Sequence, residues 1–142
     1  MVKQISIFLE NKSGRLAHVT KVLGENGIDI SALSIADTTD FGILRLIVNN
    51  PEKAEEVLKK EGFSVGLTDV IAISVEDKPG GLYKALAILA EHSIGIEYIY
   101  AFVGKRENEA LVILRPDKPC EAIKVLTEKN IKVLEQEDVY NL

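Results

Sequence analysis

The sequence predicts an α+β protein in which one βαββαβ unit is made twice. Each copy is expected to have an antiparallel sheet in strand order 4-1-3-2 with both helices on one face. Three observations carry this. A turn phrase, Asn11-Lys12-Ser13-Gly14-Arg15-Leu16, returns 66 residues later as Asp77-Lys78-Pro79-Gly80-Gly81-Leu82. Its flanks return with it: Ile5-Ser6-Ile7-Phe8-Leu9 matches Ile71-Ala72-Ile73-Ser74-Val75, and Glu25-Asn26-Gly27-Ile28-Asp29-Ile30 matches Glu91-His92-Ser93-Ile94-Gly95-Ile96. Within each copy, stretches alternating every second residue take turns with stretches spaced at three and four, the periods of strand and helix. A repeat this long is two copies of one supersecondary unit, here residues 1–68 and 69–142.

The first strand runs over residues 3–9, with Ile5, Ile7 and Leu9 on one face and Gln4, Ser6 and Phe8 on the other. Ser13-Gly14 breaks it. Leu16, Val19 and Leu23 then keep helical spacing to Glu25, where Asn26-Gly27 stops the helix. Ile28 to Ile35 alternates as a strand whose phase slips near Ala32-Leu33, the mark of a bulge. Thr38-Thr39-Asp40-Phe41-Gly42 is turn chemistry, and Ile43 to Val48 pairs back as a hairpin. Pro51 opens a second helix with Ala54, Val57 and Leu58 inward. Lys59-Lys60-Glu61-Gly62 closes it, and Phe63 to Leu67 is a short last strand.

The second copy reads in the same order. Strand Val70–Glu76 leads to helix Gly80–Glu91 and strand Ile94–Val103. A turn through Lys105-Arg106-Glu107-Asn108 leads to strand Ala110–Leu114, helix Lys118–Glu128 and strand Ile131–Glu135. The offset between copies is 68 by the second helix, where Val57-Leu58 matches Val125-Leu126, which suggests a two-residue insertion near Pro116–Pro119. Right-handed crossovers around a central hairpin give the ferredoxin-like order 4-1-3-2. The junction at Thr68-Asp69 is too short for a flexible linker.

Composition narrows the function classes. The chain has 142 residues, is 46% hydrophobic and carries a net charge of −5 with acids and bases interspersed. No basic stripe collects phosphates, which disfavours nucleic acid. No apolar run approaches a membrane span, and the N-terminus starts a strand at once rather than a signal region; a cytoplasmic protein is the plain expectation. One cysteine, Cys120, excludes an internal disulfide and any cysteine-based metal site. No cofactor is implied. Each copy is so short that its fold would be marginal alone, so the copies are expected to dock on each other or on a second chain.

The repeated turn is the candidate site. A loop ending in Gly at a helix start presents main-chain N–H groups and the positive end of the helix dipole. Gly14 and Gly80 let a small ligand approach the main chain. Asn11 and Asp77 stand just upstream, able to hydrogen-bond an ammonium or amide. Asp29 and Gly95, fifteen residues past the glycines, are expected where the next strand begins beside the loop. Such a pocket suits an amino acid, its carboxylate on N–H groups and its ammonium on side-chain or carbonyl oxygens. The same residues also suit a purely structural turn, with Asn11 and Asp77 as N-caps.

From Lys3 to about Val139 the chain resembles two ACT domains in tandem. The resemblance rests on Asp77-Lys78-Pro79-Gly80-Gly81-Leu82, on Asn11-Lys12-Ser13-Gly14-Arg15-Leu16 and on the helix-ending Asn26-Gly27-Ile28-Asp29-Ile30. It implies binding of a small molecule, usually an amino acid, where two such domains meet, and allosteric control of amino-acid metabolism rather than catalysis. Its binding turn falls on Asn11, Ser13 and Gly14 and on Asp77, Gly80 and Gly81. Its strand-start position, commonly Asn or Asp, falls on Asp29 and Gly95. Departures are specific: Ser13 stands where Pro is usual, Ser93 replaces the helix-ending Gly, Gly95 offers no side chain, and Asp77 repels a carboxylate unless it faces the ammonium end. Unequal half-sites are expected. The implied partners are an amino acid, a second copy in a homodimer and an amino-acid metabolic enzyme.

Other residues support rival readings. Tyr98, Tyr100 and Phe102 alternate on an expected edge strand and suit either a docking surface or a half-buried sheet face. Arg15 could hold a phosphate as in an acylphosphatase-like enzyme, but Gly81 takes its place in the second copy. An RNA-binding module needs aromatic and basic residues on the third strand, where Leu44-Arg45-Leu46 and Leu111-Val112-Ile113 are mostly aliphatic. His18 and His92 are expected to be exposed helix residues and Cys120 an idle thiol. A scaffold that binds proteins and no ligand completes the set.

Overall fold

The computed structural model describes residues 1–37, 40–104 and 106–141. Thr38 and Thr39 of the first expected hairpin turn, and Lys105 of the second, lie outside the described residues. The elements in order are β1 Val2–Glu10, α1 Arg15–Glu25, β2 Ile30–Asp37, β3 Phe41–Val48, α2 Pro51–Lys60, β4 Ser64–Glu76, α3 Gly81–Glu91, β5 Ile96–Ala101, β6 Glu109–Pro116, α4 Pro119–Glu128, β7 Lys132–Val133 and α5 Gln136–Tyr140. The chain divides into two compact units, Lys3–Asp69 with the end of the chain from Tyr140, and Val70–Val139 with Met1–Val2.

In the first unit the strand order is β2-β3-β1-β4, and in the second β7-β4-β6-β5, which is the expected 4-1-3-2 order in both. The pairs β1–β3, β2–β3, β4–β6, β5–β6 and β4–β7 are all antiparallel. Alternation decides which side of each strand meets the helices. In the first unit Ile5, Ile7 and Leu9 of β1 and Leu44, Leu46 and Val48 of β3 pack against Val19, Val22 and Leu23 of α1 and Ala54 and Leu58 of α2. In the second, Ile71, Ile73, Val112 and Leu114 meet Ala85, Leu89, Ala122 and Leu126. Each large aliphatic so buried stabilises the fold by roughly 1.5–3 kcal/mol.

The helix stops differ in residue but not in shape. Gly27 ends α1 at φ 68°, and Ser93 takes the same left-handed conformation after α3, at φ 56°. Ile28 and Ile94 both return an N–H to the helix, to Leu23 O at 2.9 Å and Leu89 O at 3.0 Å. The bulge expected near Ala32-Leu33 appears as a register shift between Ile30 and Ala32, and again between Ile96 and Tyr98.

Three features depart from the sequence reading. The expected break at Thr68-Asp69 is absent: Ser64–Glu76 is one thirteen-residue strand, its first half in one unit and its second half in the other. The two-residue insertion does not lie near Pro116–Pro119. Leu9 pairs with Gly42 and Val75 with Ala110, so the offset has already reached 68 at the start of the third strand. The extra residues therefore sit in the β5–β6 hairpin, whose solvent-facing loop accepts length changes at little entropic cost. The last strand shortens to Lys132–Val133, followed by the unexpected α5, whose Val139 is fully buried.

Candidate functional site

The two turns close in the same way. After β1, Asn11 N–H donates to Asp40 O, Lys12 N–H to Glu10 O and Arg15 N–H to Lys12 O. After β4, Asp77 N–H donates to Asn108 O, Lys78 N–H to Glu76 O and Gly81 N–H to Lys78 O. These bonds tie each turn to its own strand end and to the neighbouring hairpin. Gly14 at φ 85° and Gly80 at φ 83° are the residues preceding α1 and α3, a left-handed conformation that L side chains resist. No side chain caps either helix, so Asn11 and Asp77 do not act as N-caps; the first amide of each helix, Arg15 or Gly81, is taken by the turn, and the amides that follow it have no side-chain cap. Asn50, by contrast, caps α2 by accepting from Lys53 N–H at 3.2 Å.

A duplicated charge pair flanks the turns, which the sequence reading missed. Lys12 Nζ lies 2.9 Å from Glu10 Oε2, with Arg15 farther off at 3.8 Å, and Lys78 Nζ lies 2.6 Å from Glu76 Oε2. The hydrogen bond and charge of Lys12, with Arg15 behind it, hold the Glu10 carboxyl below the usual range; Lys78 does the same for Glu76. The signal was present, since Glu-X-Lys recurs at the repeat offset.

A cavity lies at the same place in each copy, against Glu10 and Arg15 on either side of the first turn and against the second turn itself. In the first unit it measures about 220 Å³ and is lined by Phe8, Leu9, Glu10, Arg15, Phe41, Gly62, Phe63 and Ser64. In the second it measures about 210 Å³, with Ser74, Val75, Glu76, Gly80, Gly81, Asn130 and Ile131 among its walls. A smaller cavity of about 80 Å³ lies on the other side of the first turn, where Asn11, Lys12, Arg15 and Leu16 face Ile35 and Asp37 of β2.

Not all the expected site residues gather there. Asn11, Ser13 and Gly14 share one exposed turn, and Asp77 and Gly80 share the other. Asp29 does not lie beside the first turn, nor Gly95 beside the second. The helix carries the chain back along the sheet, so β2 and β5 begin at the end opposite to the turn. There Asp29 N–H donates to Asn49 Oδ1 at 3.0 Å, and Gly95 N–H to Asp117 Oδ1 at 3.1 Å. The β2 acid that does approach the turn is Asp37. Gly81 is buried, and a Cβ on it would stand 2.0 Å from Glu76 O, so its missing side chain admits α3 against β4.

His18 is less idle than expected: its ring meets Phe63 edge-on at 5.2 Å, and its Nε2 lies 3.7 Å from Glu61 Oε2. His92 is exposed, with Nδ1 2.9 Å from Ile88 O, and the Cys120 thiol is free and exposed. Tyr98 and Tyr100 stack at 6.4 Å on β5, an edge strand as expected. Among the described residues, no three His, Cys, Asp or Glu side chains cluster as a metal would require, and no helix is long and apolar enough to cross a membrane.

A family model described as an ACT domain pair matches residues 1–142. The chain belongs to this family. The ACT pair accounts for the whole sequence and leaves none of the 142 residues to a catalytic domain. Among solved structures, a protein from Bacteroides thetaiotaomicron is 48% identical, with a TM-score of 0.93 over 99% of this chain and 96% of that one. The regulatory subunit of aspartate kinase from Thermus thermophilus, in a ligand-free form, is 19% identical with a TM-score of 0.67, over 90% of this chain and 92% of that one. Its counterpart from Thermus flavus is 20% identical with a TM-score of 0.60, over 89% and 90%. At such identities the likeness concerns the fold. No curated protein matches the sequence.

Proposed function

We propose that this ACT pair is a stand-alone regulatory module that binds an amino acid at an ACT–ACT interface and thereby controls amino-acid metabolism. The observation that carries the reading is the pair of uncapped helix starts, each opened by a left-handed glycine and each beside a cavity. The helix dipole and the amides that follow Arg15 and Gly81 favour the carboxylate; Asn11 and Ser13 in one copy, and Asp77 in the other, offer oxygens to the ammonium. Gly14 and Gly80, with open space where a Cβ would stand, keep the main chain accessible, while Gly81 lets α3 approach β4. Asp29 and Gly95, at the far sheet end of their own units, join such a site when contributed by another domain. The fold is shared with aspartate kinase regulatory subunits, and the extension of a regulatory role to this chain is our reading.

The half-sites are unequal in a definite way. Arg15 in the first copy is Gly81 in the second, and the first turn's neighbour Asp37 corresponds to Val103. Ligand bridging two domains would favour one arrangement over others by its differential affinity, which is how occupancy becomes a signal. The domain limits we propose are 1–68 and 69–142, in a cytoplasmic homodimer that acts on an amino-acid metabolic enzyme. Calorimetric titration of the twenty amino acids tests the reading, with Gly80→Val as the variant expected to lose heat of binding at the second turn. Silence for all twenty would leave a scaffold that binds only proteins.

A further inference from the structure

The outer face of α3 differs from those of α1, α2 and α4. Toward its own unit α3 buries Gly81, Ala85, Ile88 and Leu89. At 3.6 residues per turn the opposite side carries Tyr83, Leu86, Ala87 and Ala90, spaced as i, i+3, i+4 and i+7. That spacing belongs to a buried stripe, yet this one faces water. Tyr83 is 74% exposed, Ala90 is exposed, and Leu86 and Ala87 are half-buried.

The other helices finish the same face with polar groups. The matching positions on α1 are Ala17, Thr20, Lys21 and Gly24, and Lys21 pairs with Glu25 at 3.8 Å. On α2, Glu55 pairs with Lys59 at 3.6 Å and Glu56 with Lys60 at 3.2 Å. On α4 the exposed residues are Cys120, Glu121, Lys124, Thr127 and Glu128. The stripe on α3 is apolar surface still to be covered.

The stripe complements itself when two copies of α3 lie antiparallel. A pairing centred near Ala87 sets Tyr83, the one large ring, over Ala90 of the other copy, so large meets small along the seam. Lys84 and Glu91 stand seven residues apart on one border of the stripe. In an antiparallel pair like borders face each other, so Lys84 of each copy meets Glu91 of the other. Among the described residues neither side chain is in a salt bridge of its own chain.

We propose that the outer face of α3 is a self-association surface, on which α3 of a second copy docks antiparallel about a two-fold axis. The occupant is a second copy because both the sizes and the charges on this single face are self-complementary, as a two-fold contact requires. The contact is independent of amino-acid binding and separate from the sheet edges β2 and β5. An eleven-residue helix spans about 16 Å. That puts the contact at the small end of specific interfaces, so the pairing is expected to depend on concentration.

The test is site-directed cross-linking of the full chain with its one cysteine removed by Cys120→Ser. Adding Ala87→Cys puts a thiol beside the two-fold axis, and mild oxidation is expected to give a covalent dimer on a non-reducing gel. Lys21→Cys, at the matching position of α1, is the control and should stay monomeric on the gel. Sedimentation over a range of concentrations then reads the face itself. Lys84→Glu should weaken self-association about tenfold by setting like charges together, and adding Glu91→Lys should restore it. Ala87→Glu should weaken it to a similar degree, and circular dichroism confirms that each variant is folded. Cross-linking by Ala87→Cys no better than by Lys21→Cys would overturn the contact. So would a charge swap that rescues nothing, which would leave the face to a different protein.

Discussion

Lys12 Nζ stands 2.9 Å from Glu10 Oε2, and the repeat reproduces the pair as Lys78 and Glu76 at 2.6 Å. Because both carboxyls titrate below their ordinary value of 4.5 in the fold, each pair stabilises the protein at neutral pH and down through 4.5. That contribution is lost as the pH falls through the depressed values beneath. Lys78→Ala should bring Glu76 close to its ordinary value in an NMR titration. Lys12→Ala should bring Glu10 only part of the way, since Arg15 remains. Both pairs are exposed, so added salt should weaken the shifts.

Neighbouring glycines in the second turn are required for different reasons, and alanine should separate them. Gly80→Ala meets open space but must hold φ 83°, at a cost of about 1–2 kcal/mol. Gly81→Ala places a Cβ 2.0 Å from Glu76 O and should cost more than that, about 3 kcal/mol, through displacement of α3. Urea unfolding measures both; equal losses would show that the close approach is relieved elsewhere.

Ser93 pays for a conformation that Gly27 adopts freely in the first copy. Ser93→Gly should therefore raise stability, by up to about 1 kcal/mol after the entropy of glycine is counted. Asn130→Gly should gain less, because asparagine tolerates its φ of 64° better. A thermal melt that falls for Ser93→Gly contradicts the strain.

At the far sheet end, Asn49 Oδ1 accepts from Asp29 N–H while Asn49 N–H returns a bond to Asp29 O at 3.2 Å. Asp117 repeats this double bond with Gly95. Asn49→Ala and Asp117→Ala should each cost about 0.5–1.5 kcal/mol, read as a lower urea midpoint with an unchanged slope. A changed slope instead would move the effect to the unfolded chain.

Leu16, Leu33 and Ile35 are exposed on the first unit, and Leu82 and Ile99 occupy the matching places on the second. Leu33 and Ile99 lie on the edge strands β2 and β5, positions that invite pairing with another chain. Leu33→Glu or Ile99→Glu should lower the mass seen in analytical ultracentrifugation from dimer to monomer. A mass unchanged in both variants removes these edges from the proposed homodimer.

Periodicity and repetition were enough to read the strand order, the helix limits and the two turns, because each depends on residues near in sequence. Ile5, Ile7 and Leu9 declare a buried face, and Gly14 and Gly80 declare a left-handed turn, without reference to the rest of the chain. What lies together across the sheet was not legible. Asp29 follows the turn in sequence but ends at the opposite sheet end, because a helix reverses direction between two parallel-running strands, while Asp37 arrives beside Arg15. Leu9, Arg15 and Phe63 come from β1, from α1 and from just before β4; only the sheet order, which sets β4 beside β1, makes them walls of one cavity. Local order came from the chain's own spacing, and the site's composition came from which strands the sheet sets side by side.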